Sequence, residues 1–175
     1  MAVNILDEKG AAVMEQDEKV FQVLNELNIS YRLYQHPPVY TVEEWQQYIG
    51  DKDGVMCKSL FLRNQKGDRH FLVIADHATA VDLKILAKWL TEKQLSFASE
   101  KRLEQYLGLA RGAVSPFGLL NDDNKAVSVV VAASIKKYSN MHFHPNINTA
   151  TVTISYTDLE KFIRWRGNKL LDINL

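Results

Sequence analysis

Apolar positions along the chain change period several times, and each change marks an element. Val20, Phe21, Leu24 and Leu27 fall at helical spacing within 15–28, and the acidic residues of that first turn suit a helix dipole. A first amphipathic helix is predicted there. Residues 31–35 read as a short strand, which His36-Pro37-Pro38 ends because proline cannot donate to a ladder. Thr41-Val42-Glu43-Glu44 is a capping box opening a helix through Ile49. From Val55 the pattern turns to strands, 57–63 and 70–75, joined by the polar, glycine-containing connection 64–68. A helix follows over 82–90 and a brief strand over 95–98. Ser99 caps a further helix that Gly108 ends. The β-branched run 127–131 reads as a buried strand and 151–156 as another. Thr157-Asp158-Leu159-Glu160 reads as a second capping box, starting a last helix with Leu159, Phe162 and Ile163 inward and Gly167 closing it. The order implies a mixed α/β domain, strands central and helices flanking.

Length and composition narrow this further. At 175 residues one domain over 1–175 is expected, with a flexible N-terminus over 1–14. The chain lacks an apolar run of membrane-spanning length and its first ten residues do not read as a signal peptide, so the expected location is cytoplasmic, with no membrane partner. Its single cysteine, Cys57, excludes an internal disulfide. Net charge is zero but uneven: residues 1–54 hold 10 acidic and 4 basic side chains, residues 55–175 hold 11 and 17. That balance argues against non-specific coating of a polyanion, which needs many phosphate contacts. A grip on one RNA end is compatible with it. Lys58, Arg63, Lys136, Lys137, Arg164, Arg166 and Lys169 are candidate phosphate contacts, each equally readable as a solvated charge.

Three segments could carry chemistry. Gly112-Ala113-Val114-Ser115-Pro116-Phe117-Gly118 sets glycines, a proline and a small hydroxyl in a loop able to aim N–H groups at a carbonyl oxygen or anion. Cys57-Lys58-Ser59-Leu60-Phe61-Leu62-Arg63 puts a lysine at the mouth of an apolar strand, where desolvation strengthens its pull on an anion. An exposed lysine at a strand edge explains Lys58 as well. In the third segment, 141–151, His142 and His144 alternate as on one strand face, an arrangement zinc could use, but no third and fourth ligand show ligand spacing. No metal is therefore expected. Cys57 beside a cation admits a thiolate nucleophile, against the commoner reading of a buried free cysteine.

Together these segments resemble one family. The Lys-x-Leu-Phe-Leu strand, the Gly-x-x-x-Pro-Phe-Gly loop and the Phe-His-Pro-x-x-Asn-Thr-x-Thr strand look like the YbaK/ProX family of prolyl-tRNA editing domains, most closely its PrdX-like free-standing members, over about 20–165. The resemblance implies an α/β (mixed α+β) YbaK-like domain whose central sheet is mixed and largely antiparallel, or a partial barrel. It implies hydrolysis, in trans and without cofactor, of the ester joining a wrong amino acid, alanine foremost, to the end of proline tRNA. The implied partners are the mischarged tRNA(Pro) acceptor end and prolyl-tRNA synthetase, with no DNA. By the same resemblance Lys58 engages the aminoacyl end, the N–H groups of Gly112 and Ala113 hold the carbonyl, and His144 orients the terminus. His36 and Thr41 match an early His-Pro-Pro-x-x-Thr motif, and Ser59, Ser115, Pro116, Asn148 and Thr149 complete the implied pocket. Two departures stand out: Ser59 where asparagine is usual, and Ala132 where an aspartate commonly ends the valine-rich strand. A cysteinyl-tRNA deacylase of the same fold and a non-catalytic tRNA- or synthetase-binding module are the alternatives.

Overall fold

A computed structural model describes residues 15–50 and 54–174, so the expected flexible N-terminus lies outside the described residues. In chain order the elements are α1 (Gln16–Glu26), β1 (Arg32–Gln35), α2 (Val42–Ile49), β2 (Val55–Asn64), β3 (His70–Asp76), α3 (Leu83–Trp89), β4 (Leu95–Phe97), α4 (Glu100–Leu107), β5 (Val127–Ala132), β6 (Asn140–Phe143), β7 (Ala150–Ser155), α5 (Tyr156–Arg166) and β8 (Leu170–Ile173). Short 3-10 turns cover Pro116–Asn121 and Ala133–Lys137.

Local chemistry explains most boundaries. Thr41 Oγ1 accepts from the Glu44 N–H (3.2 Å) while the Glu44 carboxylate accepts from the Thr41 N–H (3.3 Å), so the predicted capping box forms and α2 begins beside the Pro37-Pro38 break. Ser99 caps α4 as read, with its hydroxyl accepting from Arg102 N–H. The last helix starts earlier than expected. Ser155, not Thr157, is its cap, because the Ser155 hydroxyl accepts from Asp158 N–H (3.1 Å) and donates to the Asp158 carboxylate (2.7 Å). Pro116 also opens a turn where the sequence suggested an open loop.

The strands form one open, mixed sheet in the order β1-β7-β6-β2-β3-β5-β8, with β4 also on β2. Its antiparallel pairs are β1–β7, β6–β7, β2–β3 and β2–β4, and the parallel ones β2–β6, β3–β5 and β5–β8, so it is not a partial barrel. β8 went unread because it is four residues long and follows the Gly167 helix stop directly. Valines 127, 129 and 131 and residues of β2, β6 and β7 pack under α1, α4 and α5, and the opposite face, with Leu62, Phe71, Val73 and Val130, packs under α3. A smaller cluster of Val39, Trp45 and Ile49 seats α2.

β2 is the branching point of the sheet. One side pairs with β3 from Cys57 to Arg63. The other pairs with β6 at Val55 and Met56, then with β4 from Leu62 to Asn64. Between those partners the edge is open. Phe61 accepts from Ala98 N–H on this outer side, and Met56 accepts from His77 N–H on the β3 side. Alternation along a strand therefore turns the peptide groups of Cys57 and Ser59 toward the gap.

The far edge is held by a buried carboxylate. Asp122 accepts from Ala126 N–H (3.0 Å), Val127 N–H (2.9 Å) and Asn168 Nδ2 (2.7 Å), tying the start of β5 to the approach to β8. Asp122→Ala strands these donors and is expected to lower unfolding stability by about 2–3 kcal/mol in urea denaturation. An unchanged midpoint would mean that the donors find other partners.

Candidate functional site

The open stretch of the β2 edge brings together two of the sequence-predicted site residues, Ser59 and His144. A cavity of ≈ 20 Å³ lies there, lined by Trp45, Met56, Cys57, Ser59, Val114, His142, Phe143, His144 and Thr151. That is room for about one water or a methyl-sized group. Its walls come from α2, β2, the glycine loop and the β6–β7 connection.

Its polar groups are oriented by hydrogen bonds that fix where protons sit. The His36 ring is buried, and its Nδ1 donates to the Pro37 carbonyl (2.8 Å), which can only accept. His36 Nε2 is therefore free to accept from Thr151 Oγ1 at 2.9 Å, while Thr151 Oγ1 accepts from Trp45 Nε1 at 3.0 Å. Trp45, Thr151 and His36 thus form one directed chain. His144 lies just past the end of β6, so the two histidines are not on one regular strand, yet both line the cavity. His144 Nδ1 donates to the Ala150 carbonyl (2.9 Å), leaving Nε2 as its acceptor. Burial holds the His144 pKa below the usual histidine value, against the raising effect of the Ala150 bond and with help from nearby His36. His142 Nδ1 bonds Thr153 Oγ1 (2.7 Å), and a methyl on Gly54 (φ 145°) would sit 2.7 Å from His142 Nε2. Only glycine fits there.

The other predicted residues divide into those that reach the site and those that build it. Gly112, φ 89°, is exposed and lies against Tyr40, which brings the glycine loop to the His-Pro-Pro segment. Its N–H has no acceptor among the described residues. The Ala113 N–H is bonded to the Ala110 carbonyl (3.2 Å), so the expected pair of carbonyl-binding donors reduces to Gly112. Ser115 is fully buried and caps the 3-10 turn through Phe117 N–H, with Pro116 as the first residue of that turn. Thr41 is the α2 cap. Asn148 and Thr149 act through their carbonyls, which accept from Val39 and His36 N–H and continue the β1–β7 pairing. Ser59 lines the cavity, and its hydroxyl has no partner among the described residues.

Lys58 is not among the cavity-lining residues. Its ammonium group is held by the carbonyls of Thr79 and His77 in the turn after β3. Burial alone would raise the pKa of Asp76, at the base of that turn; hydrogen bonds from the Thr79 hydroxyl and N–H, from Ser134 and from Ala78 N–H outweigh it and hold the carboxyl below its usual range. Asp76, Trp45 and Thr151 were not singled out from the sequence; the Asp76-x-x-Thr79 spacing was the available signal for the first. The Cys57 thiol is pushed far above its ordinary pKa by burial and then by Asp76, and it points at the Val55 carbonyl. A thiolate nucleophile is excluded by that environment. No group of three or more His, Cys, Asp or Glu among the described residues is placed to hold a metal ion. The candidate phosphate contacts do not form one track: Arg166 is spent on the Leu119 and Asp122 carbonyls, Lys136 on Asp172 and Arg164 on Glu160. Ala132 is buried at the end of β5, paired with Ile173.

The open mixed sheet with flanking helices has a counterpart among solved structures. A solved structure of a proposed trans-editing enzyme for prolyl-tRNA synthetase superposes with a TM-score of 0.71 at 17% identity, covering 94% of this chain and 99% of that one. The chain belongs to the aminoacyl-tRNA editing domain family, whose model matches residues 36–162. It is 45% identical to the prolyl-tRNA editing protein ProX of Acetoanaerobium sticklandii, over 93% of this chain and 99% of that protein. It is 34% identical to the zebrafish (Danio rerio) prolyl-tRNA synthetase associated domain-containing protein 1, over 88% and 85%.

Two outcomes are expected. Thr151→Val keeps the shape but leaves Trp45 Nε1 without an acceptor and His36 Nε2 without a donor, so stability falls by about 1–3 kcal/mol in urea; a neutral result would mean that water replaces the hydroxyl. In proton NMR His144 titrates below the ordinary value of about 6.5. Between the two values the unfolded chain binds a proton that the folded one refuses, so this histidine lowers stability as pH falls through that window. A His144 midpoint at or above the ordinary value would contradict the burial described.

Proposed function

We propose that this protein is a trans-acting deacylase of mischarged proline tRNA and that alanine is the amino acid it removes. The observation that carries the choice of amino acid is the ≈ 20 Å³ cavity between Ser59, Val114 and His144. An alanine methyl fits such a space, a cysteine side chain crowds it, and the proline ring is too large. A synthetase pocket shaped for proline discriminates against a smaller amino acid by only about 1–3 kcal/mol, so a second site that admits by size supplies what the first cannot. Membership of the editing family and the 45% identity to a prolyl-tRNA editing protein support the reaction class.

In this reading water adds to the ester carbonyl carbon, the tetrahedral oxyanion forms, and the ribose oxygen leaves with a proton, giving free alanine and tRNA. The Gly112 N–H donates to the oxyanion, an interaction whose loss typically costs a few kcal/mol of barrier, roughly 3. His144, kept neutral by burial and oriented by its Nδ1–H bond to the Ala150 carbonyl, offers Nε2 to the water or to the neighbouring ribose hydroxyl. Lys58 has two of its three donors on the Thr79 and His77 carbonyls and keeps the third for a phosphate or ribose oxygen near the ester. Ser59 supplies a hydroxyl where the family resemblance implies an amide, and Asp76 holds the turn that holds Lys58. His36, Thr41, Ser115, Pro116, Asn148 and Thr149 keep the walls in place. The tRNA would come from prolyl-tRNA synthetase in the cytoplasm.

With enzyme well below substrate, alanyl-tRNA(Pro) is expected to turn over and prolyl-tRNA(Pro) to survive, with cysteinyl-tRNA(Pro) cleaved at least about tenfold more slowly. Lys58→Ala should abolish turnover without changing the thermal midpoint. Protection of all three esters by a folded protein would replace the deacylase with a binding module.

A further inference from the structure

The small cavity is one half of the gap beside β2. The other half is the largest cavity described, ≈ 560 Å³, lined by Ser59, Leu60, Phe61, Phe97, Ala98, Ser99, Glu100, Leu103, Arg111 and Val114. Ser59 and Val114 line both, so the two spaces adjoin at these residues. Its volume lies in the range of small-molecule sites, far beyond an alanine side chain. Its walls are mainly apolar, from Leu60, Phe61, Leu103 and Val114. Phe97 stands at its rim 61% exposed, and it has no ring partner among the described residues. Two charged groups border it: Glu100 and Arg111, whose side chains are largely exposed and 3.9 Å apart.

We infer that this larger cavity seats the adenosine that carries the ester, its base stacked on Phe97. This deepens the deacylase reading and rests on it. An aminoacyl ester places a small side chain and a purine base on either side of one ribose, which matches a methyl-sized and a larger space adjoining at Ser59 and Val114. Exposed aromatic rings are the usual platforms for unpaired bases, because every base presents a π face. The Glu100 carboxylate is an acceptor for the exocyclic amine of adenine, and the Arg111 guanidinium is a donor for the phosphate on its 5′ side. The ribose then lies at Ser59, where the two spaces adjoin, beside the Gly112 loop. Ser59 becomes a positioning residue for the sugar as well as a wall of the small cavity.

Adenosine 5′-monophosphate is the probe, because its binding requires no hydrolysis. Backbone amide shifts in NMR are expected at Phe97–Glu100 and Arg111–Val114, weaker with inosine 5′-monophosphate, which lacks the amine, and weaker still with uridine 5′-monophosphate. Phe97→Ala should raise KM for the ester substrate about tenfold with kcat unchanged, the size of one lost base stack. On a substrate whose terminal nucleotide is abasic, the same variant should cost nothing further. Phe97 is exposed, so its truncation leaves the core alone, and Arg111→Ala gives a second variant, expected to weaken the monophosphate but not the free nucleoside. Shifts confined to other surfaces, or an equal Phe97→Ala loss on intact and abasic substrates, would overturn the assignment. Nucleotide shifts at this cavity without turnover by the wild-type protein would instead overturn only the deacylase reading.

Discussion

β2 cannot be paired continuously on both sides, and the site exists because of that. Its β3 side is laddered along its length, whereas its other side is claimed first by β6 in parallel and then by β4 antiparallel. Parallel and antiparallel partners have different hydrogen-bond spacing and approach from different directions, so they cannot meet end to end along one edge. The gap between them falls around Ser59, inside the protein rather than at its rim. Everything polar in the neighbourhood, from the glycine loop to the histidines, is arranged around that interruption.

The surrounding side chains are constrained by the cost of burying unpaired polar atoms. Trp45 can only donate and the Pro37 carbonyl can only accept, so the two ends of the chain through Thr151 and His36 dictate the proton positions between them. The same logic fixes His144 on Ala150. Burial holds the oriented His144 imidazole below the usual histidine pKa at the small cavity, and Lys58 is kept outside that cavity, on a turn braced by Asp76.

The helices and long strands were legible because each announces itself locally. Thr41 and Ser99 cap where they should, the 57–63 and 70–75 strands pair through the 64–68 connection, and Leu159, Phe162 and Ile163 face inward as their spacing implied. The misreadings have equally local causes. Thr157 and Ser155 both offer a hydroxyl three residues before an acid, and tertiary contacts selected the earlier one. β8 is short enough that only its pairing with β5 makes it a strand. At the site, the motif residues Gly112, His144 and Ser59 were visible as residues, but not the fact that Lys58 would be tethered to a turn carbonyl or that Ala113 would spend its N–H on Ala110. Those depend on which distant segments the fold brings together. Trp45 was not legible as a site residue, since nothing local connects it with Thr151, 106 positions later.

The walls of the small cavity are drawn from the α2 region, the middle of the chain, the glycine loop and the β6–β7 connection, which no short stretch of sequence can assemble alone. Contacts this distant form late, after loop closure has been paid for entropically by the rest of the sheet. In a nascent or partly opened chain Trp45, Ser59, Val114 and His144 are therefore apart, and the cavity they line does not exist. Whatever selection by size the cavity performs belongs to the assembled sheet and to no part of the chain alone.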